Sequence, residues 1–252
     1  MTGSLFPGMT TLEELRAMGV AALALPSVVR RRGCGSVHAL DEGNSRYPVL
    51  LVHGYAGTEA VWSPLRDALS AAGFGHQVTV NYNSFSTDPV EVAAELAQQA
   101  HRALADSGAE KVHLVGHSLG GLIVRHAVMS AIPPFATATA ITIASPHRGA
   151  PLARIAPGKC RGIMTSNRTP ANDLAARRVR WLAYYSDGDR VVPAGSARLD
   201  DTRLSATNVL IPGCGHLTIC RDPRLIRSLV GELIRSERPT PEAAAAVASL
   251  AA

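Results

Sequence analysis

The sequence predicts an α/β fold, a mostly parallel central sheet with helices on both faces. From residue 46 onward, short apolar runs alternate with amphipathic helix-forming stretches, as successive strand–helix units require. Glycine-bearing turns follow directly on two of the apolar runs, at 53–58 and 116–121. Parallel sheets of this kind carry their sites at the carboxyl ends of the strands. The length, 252 residues, suits a single α/β domain. We read 1–252 as one domain, with an N-terminal helix and loop extension over 1–45 and an Ala-rich tail over 239–252.

The elements follow in order. Thr11-Leu12-Glu13-Glu14 reads as a capping box opening an amphipathic helix,. The apolar run Ala17 to Val29 is too short to span a membrane. It has the length of a signal segment, but Glu13 and Glu14 stand where such a segment needs positive charge,. That favours a cytoplasmic over a secreted location. The reading is a helix packed on the domain, with peripheral contact to a lipid surface as the sharper alternative. Tyr47 to Val52 reads as a buried strand, and Trp62 to Ala72 as a helix capped by Ser63 before Pro64. Gln77 to Asn81 is a strand. Pro89 to Ser107 is a helix with Asp88 as its cap and proline in the first turn. Lys111 to Gly116 is a strand that runs into a helix over Leu119 to Ser130. Thr137 to Ala144, Arg180 to Tyr185 and Ala206 to Ile211 are strands, and Asp222 to Arg235 is the last helix.

Composition narrows the function classes. Hydrophobic residues make up 46% and charged residues 18% of the chain, so a disordered chain is excluded. The net charge is +5, almost all of it arginine. The basic clusters, Arg30-Arg31-Arg32 and Arg177-Arg178 with Arg180, are short and lack interleaved aromatics, so no nucleic-acid partner is expected. The four cysteines, Cys34, Cys160, Cys214 and Cys220, form no CxxC pair,. Cys214 and Cys220 are near enough in sequence to pair in an oxidising compartment; four buried free thiols is the equal alternative.

The chemistry concentrates in Gly116-His117-Ser118-Leu119-Gly120, followed by Gly121. A G-x-S-x-G between a strand and a helix makes a sharp turn that lifts the serine out of the sheet. The flanking glycines remove side chains that would clash, and the helix N-terminus favours developing negative charge. Ser118 is therefore the candidate nucleophile. His53-Gly54-Tyr55-Ala56-Gly57-Thr58 follows the first strand. A tetrahedral intermediate needs two N–H groups aimed at its oxyanion; those of Tyr55 and Leu119 are the candidates, with His53 bracing the loop.

Through HGYAGT and GHSLGG, together with ASPHRGAP, SDGDRVVP and GCGH, the chain resembles serine ester hydrolases of the α/β-hydrolase fold, in particular bacterial lipases and esterases. The resemblance covers residues 53 to 216. It implies carboxylic-ester hydrolysis through an acyl-enzyme, a small-molecule ester or lipid substrate, and no metal or organic cofactor. It also implies the chain order Ser, acid, His. His216 is the only histidine after His147 and follows the last strand, so it is the candidate base. His147 is in the loop after the preceding strand, on the wrong side of the acid. Asp189, just before Val191-Val192-Pro193, is the candidate acid; Asp187 reads as a turn residue. Asp200 and Asp201 read as solvated, and His101, His113, His117 and His126 as packing residues. Pro146 to Val179 is short and broken by prolines and glycines, which implies a small or absent lid. Acyl transfer or thioester hydrolysis with the same triad, and a non-catalytic binding protein on the same fold, are the competing readings.

Overall fold

The computed structural model describes residues 37–38, 46–133, 136–165 and 178–237. Seven strands form one sheet: β1 (Val37–His38), β2 (Val49–Val52), β3 (Gln77–Val80), β4 (Val112–His117), β5 (Thr137–Ile143), β6 (Arg180–Tyr185) and β7 (Thr207–Leu210), in the order β1-β3-β2-β4-β5-β6-β7. β2 to β7 are parallel throughout, and β1 pairs antiparallel with β3. The helices are α1 (Ser63–Ala71), α2 (Pro89–Ser107), α3 (Leu119–Ser130), the short α4 (Arg161–Thr165) and α5 (Ala194–Ala197), and α6 (Pro223–Ser236).

The two faces of the sheet can be read from residue parity, because successive strand residues point to opposite sides. Leu50 and Val52 join Leu114, Ala140, Trp181 and Ala183 in a core covered by α2 and α3. Val49 and Leu51 join Val115, Ile141, Ile143, Leu182 and Tyr184 in a second core covered by α1 and α6. Both faces of β2 and β4 are buried along their length; β2 is accordingly apolar at every position, while β4 buries His113 and His117 among its apolar residues.

Helix ends follow the chemistry of their caps. Asp88 Oδ1 accepts the N–H of Val90 at 2.8 Å, and α2 ends at Gly108 in the left-handed region. Asp222 caps α6 in the same way through the N–H of Arg224, at 2.8 Å. Ser63 does not cap α1. A 3-10 turn over Glu59–Trp62 runs straight into the helix, so Ser63 already has helical angles and Trp62 takes the cap position. Among the described residues no helix is long and apolar enough to cross a membrane. The N-terminal helix, Cys34 and the Ala-rich tail lie outside the described residues.

The strand order reverses between β2 and β4: β3 lies on one side of β2, and β4 to β7 follow on the other. Loops leaving β2 and β4 diverge there and leave a crevice at their carboxyl ends. The two glycine-bearing segments, 53–58 and 116–121, both open onto it.

Candidate active site

Ser118 occupies the turn between β4 and α3 with φ 54° and ψ −119°, a strained conformation for a residue with a side chain. Its own N–H donates to the Ile143 carbonyl at 2.8 Å, which ties the turn to β5. The glycines make the turn possible. A Cβ on Gly116 would sit 2.4 Å from Gly120, and one on Gly120 would sit 2.1 Å from the Val52 carbonyl oxygen. A methyl group at either place would force α3 away from the sheet.

His216 reaches this serine from the segment after β7. Its Nε2 is 3.0 Å from Ser118 Oγ, and its Nδ1 is 2.8 Å from Asp189 Oδ2. The carboxylate accepts, so Nδ1 carries the proton and Nε2 presents a lone pair to the hydroxyl. Asp189 Oδ1 accepts the N–H groups of Val191 and Val192 at 2.9 and 2.8 Å. The acid is thus fixed by two backbone donors while its second oxygen faces the imidazole. Asp189 and His216 are both buried, where charge–dipole interactions are strong.

Asp187 is elsewhere: it is exposed, and Oδ1 accepts the Gly213 N–H at 2.7 Å. Asp187 therefore ties its loop to the histidine loop across the fold, where a local turn residue was expected; the Gly188 N–H is taken by Ser186 Oγ at 3.2 Å. Ser186 Oγ adds a second tie to that loop by accepting the Cys214 N–H at 2.9 Å.

The loop after β2 packs over the serine. A Cβ on Gly54 would come within 3.0 Å of Ser118 Cβ, so the backbone passes close to the nucleophile. His53 braces it: Nδ1 donates to the Gly54 carbonyl at 2.9 Å, and the ring stacks on Tyr82 at 4.4 Å between centroids. Tyr82 Oη donates to the His53 carbonyl at 2.8 Å. Ala56, at φ 52°, donates its N–H to Ser84 Oγ at 2.9 Å. Tyr55 Oη donates to the Pro157 carbonyl at 2.7 Å, which ties the loop to the segment after β5, and burial pushes its hydroxyl up to about 12. A cavity of about 40 Å³ opens between these elements, lined by Gly54, Tyr55, Gly57, Val61, His117, Ser118, His216 and Leu217.

Several histidine expectations change. His117 is buried and donates Nε2–H to the His216 carbonyl at 2.9 Å; it belongs to the site and is not only a packing residue. Its position next to Ser118 in the turn was the signal. His101 is exposed on α2, because it faces away from the sheet. His113 is buried and bonded to Glu237 at 3.1 Å. His147 is buried and 3.0 Å from Thr142 Oγ1, and it lines a separate polar cavity with Arg125 and Asp201. Asp200 and Asp201 are paired, not merely solvated. Asp201 bonds Arg125 at 2.8 Å and Arg203 at 2.7 Å, and Asp200 pairs with Arg148 at 3.1 Å. Cys160, Cys214 and Cys220 are unpaired thiols; burial pushes the Cys160 thiol up to about 12. Among the described residues no group of three or more His, Cys, Asp or Glu gathers to hold a metal ion. After β5 the chain forms a 3-10 turn, Pro151–Ile155, and then α4; residues 166–177, which complete the stretch read as a lid, lie outside the described residues.

Comparison with known proteins bears on the fold. Residues 47–158 match the family model of the α/β hydrolase fold. A triacylglycerol lipase from Pseudarthrobacter phenanthrenivorans is 38% identical over 117 residues, 43% of this chain and 36% of that protein. One from Pseudomonas fragi is 34% identical over 118 residues, 45% of this chain and 39% of that protein. The chain therefore spans well under half the length of the curated relatives it matches. The crystal structure of Bacillus licheniformis lipase BlEst2 in mature form superposes with a TM-score of 0.67 at 16% identity, covering 81% of this chain and 99% of that one. A monoacylglycerol lipase from Paleococcus ferrophilus superposes with a TM-score of 0.60 at 19% identity, covering 82% and 100%. With its six parallel strands, its elbow serine and these likenesses, the chain has the α/β-hydrolase fold, and the proteins it is similar to include lipases.

Proposed function

We propose that the chain hydrolyses carboxylic esters, acting as an esterase or lipase through a Ser118–His216–Asp189 triad. One observation carries the reading: the His216 imidazole bridges the Ser118 hydroxyl at 3.0 Å and the Asp189 carboxylate at 2.8 Å. This is the geometry a nucleophile, its general base and the orienting acid require. The 38% identity to a triacylglycerol lipase supports the same reaction class.

In this mechanism His216 Nε2 takes the Ser118 proton as Oγ attacks the ester carbonyl. Asp189, held by the Val191 and Val192 N–H groups, keeps the proton on Nδ1 and stabilises the imidazolium. The oxyanion forms beside the N-terminus of α3, where the Leu119 N–H and the Tyr55 N–H are the two donors. His216 returns its proton to the leaving alcohol. Water, activated in turn by His216, then hydrolyses the acyl-enzyme. The chain's own residues supply every step.

The test is hydrolysis of a p-nitrophenyl ester series, from acetyl to palmitoyl, by the protein and by Ser118→Ala. The expected outcome is turnover that falls on the order of a millionfold in the variant, by analogy with a serine-protease triad. Persistent turnover in the variant would contradict the nucleophile. Transfer of the acyl group to an added alcohol in preference to water would move the reading to acyl transfer, and faster cleavage of a thioester than of the matching oxygen ester would move it to thioester hydrolysis.

A further inference from the structure

His117 precedes the nucleophile, yet its side chain faces the opposite loop. It is 2% exposed. Nε2 donates to the backbone carbonyl of His216 at 2.9 Å, and the two imidazole rings lie 4.9 Å apart, tilted by 43°. On its other edge Nδ1 meets the oxyanion loop: a Cβ on Gly54 would approach it to 3.1 Å. One ring therefore bonds the loop that carries the base and lies beside the loop that would carry an oxyanion donor, while its backbone belongs to the elbow. Burial, then the neighbouring His216, press its basicity down to about 3, so it stays neutral and keeps one proton. The carbonyl acceptor fixes that proton on Nε2.

The flanks of the His216 loop have anchors of their own. The Gly215 N–H donates to Thr218 Oγ1 at 2.9 Å, and the Cys214 N–H donates to Ser186 Oγ at 2.9 Å. The backbone of His216 itself takes its side-chain hydrogen bond from His117. A base that must stay near 3 Å from its nucleophile is sensitive to small displacements, since a misplacement of about 1 Å costs on the order of a hundredfold.

We propose that His117 is a positioning residue: its Nε2–H clamps the His216 carbonyl and so sets the distance of the catalytic imidazole from Ser118, while its ring spaces the base loop from the Gly54-Tyr55 loop. The proposal rests on the ester-hydrolase reading. It assigns His117 no proton transfer to substrate; its effect runs through the geometry of His216.

The test compares the protein with His117→Leu, which fills space but donates nothing, and His117→Gln, whose amide Nε2–H extends about as far from the backbone as the imidazole Nε2. Each is assayed for kcat and KM on p-nitrophenyl butyrate across pH, alongside its Tm. The clamp predicts that His117→Leu lowers kcat on the order of 10- to 100-fold with KM within about threefold, and that His117→Gln recovers most of the loss. It also predicts that the rate of Ser118 phosphorylation by diethyl p-nitrophenyl phosphate falls in parallel with kcat, since base placement limits both. Unchanged kcat in His117→Leu overturns the proposal. So do equal losses in both variants that follow their fall in Tm, which mark a packing residue. If His117→Leu does not fold, His117→Gln decides alone: near-full kcat supports the clamp, and a large kcat loss at unchanged Tm overturns it. Failure of the underlying reading looks different, because the unmodified protein would then show neither ester turnover nor phosphorylation of Ser118, and the proposal would fall with it.

Discussion

Two aspartates stand two residues apart in the same loop, and their hydrogen bonds separate them. Asp189 is buried, faces His216 and is fixed by two N–H groups. Asp187 is exposed and accepts the Gly213 N–H from the histidine loop. Replacing Asp189 by Asn should lower kcat on the order of ten-thousandfold, because the amide favours the wrong imidazole tautomer, as in serine-protease triads. Asp187→Asn should leave kcat within a few fold, since the amide oxygen still accepts from Gly213. Steady-state kinetics on one soluble ester checks both; the reverse ranking would reassign the acid. In the sequence both aspartates fit the order Ser, acid, His, and only the downstream Val-Val-Pro favoured Asp189. The pairing of Asp201 with buried Arg125 was not legible, because 76 residues separate them and only the fold brings them together.

At the scale of elements, α2 and α3 have the residue limits that the sequence predicts. Their ends are encoded locally, by Asp88-Pro89 before α2, Gly108 after it, and the glycine turn before α3. The start of α1 was misread for a local reason as well. Ser63-Pro64 has the composition of a cap, but the buried Trp62 anchors a preceding 3-10 turn that carries helical geometry through Ser63. Tertiary packing of one aromatic residue overrides the propensity of one serine. A cap that does form has a measurable value: Asp88→Ala removes the acceptor for the Val90 N–H and should destabilise the protein by about 1 kcal/mol. Urea denaturation should report that loss as a lower midpoint with an unchanged slope. The active-site loops show the same division. The close approach of Gly116 and Gly120 to backbone could be anticipated from the motif. The hydrogen bond from His117 to the His216 carbonyl could not, because it ends on a backbone group 99 residues away that no residue type marks.

For the whole molecule, the buried histidines dictate the response to acid. Burial lowers the basicity of His53, His113, His117 and His147, the last two to about 3. Below the ordinary histidine value near 6.5, the unfolded chain binds protons that the folded chain refuses. Stability is therefore full above that pH and is lost as pH falls, and for His117 and His147 the loss continues down to about pH 3. Asp201, held at about 2 by Arg203 and Arg125, adds to the loss below the ordinary carboxylate range. Tm should thus fall steadily from pH 7 to pH 4. A Tm that is flat or rises over that range, measured by calorimetry at constant ionic strength, would contradict the neutral buried histidines. At this scale the fold class was legible because each strand–helix unit carries its own pattern. Strand order was not, because it depends on which runs pair across the sheet. Yet it is the reversal between β2 and β4 that brings residues 53–58 and 116–121 to one crevice.

Ester hydrolysis by this triad requires that Ser118 become acylated. The most direct measurement is intact-protein and peptide mass spectrometry after rapid acid quench of the protein turning over p-nitrophenyl butyrate, with Ser118→Ala as the control. The account predicts one butyryl group per chain, on the peptide containing Gly116 to Gly121, and none on the variant. A butyryl group on another residue, or an equal adduct on Ser118→Ala, would contradict it.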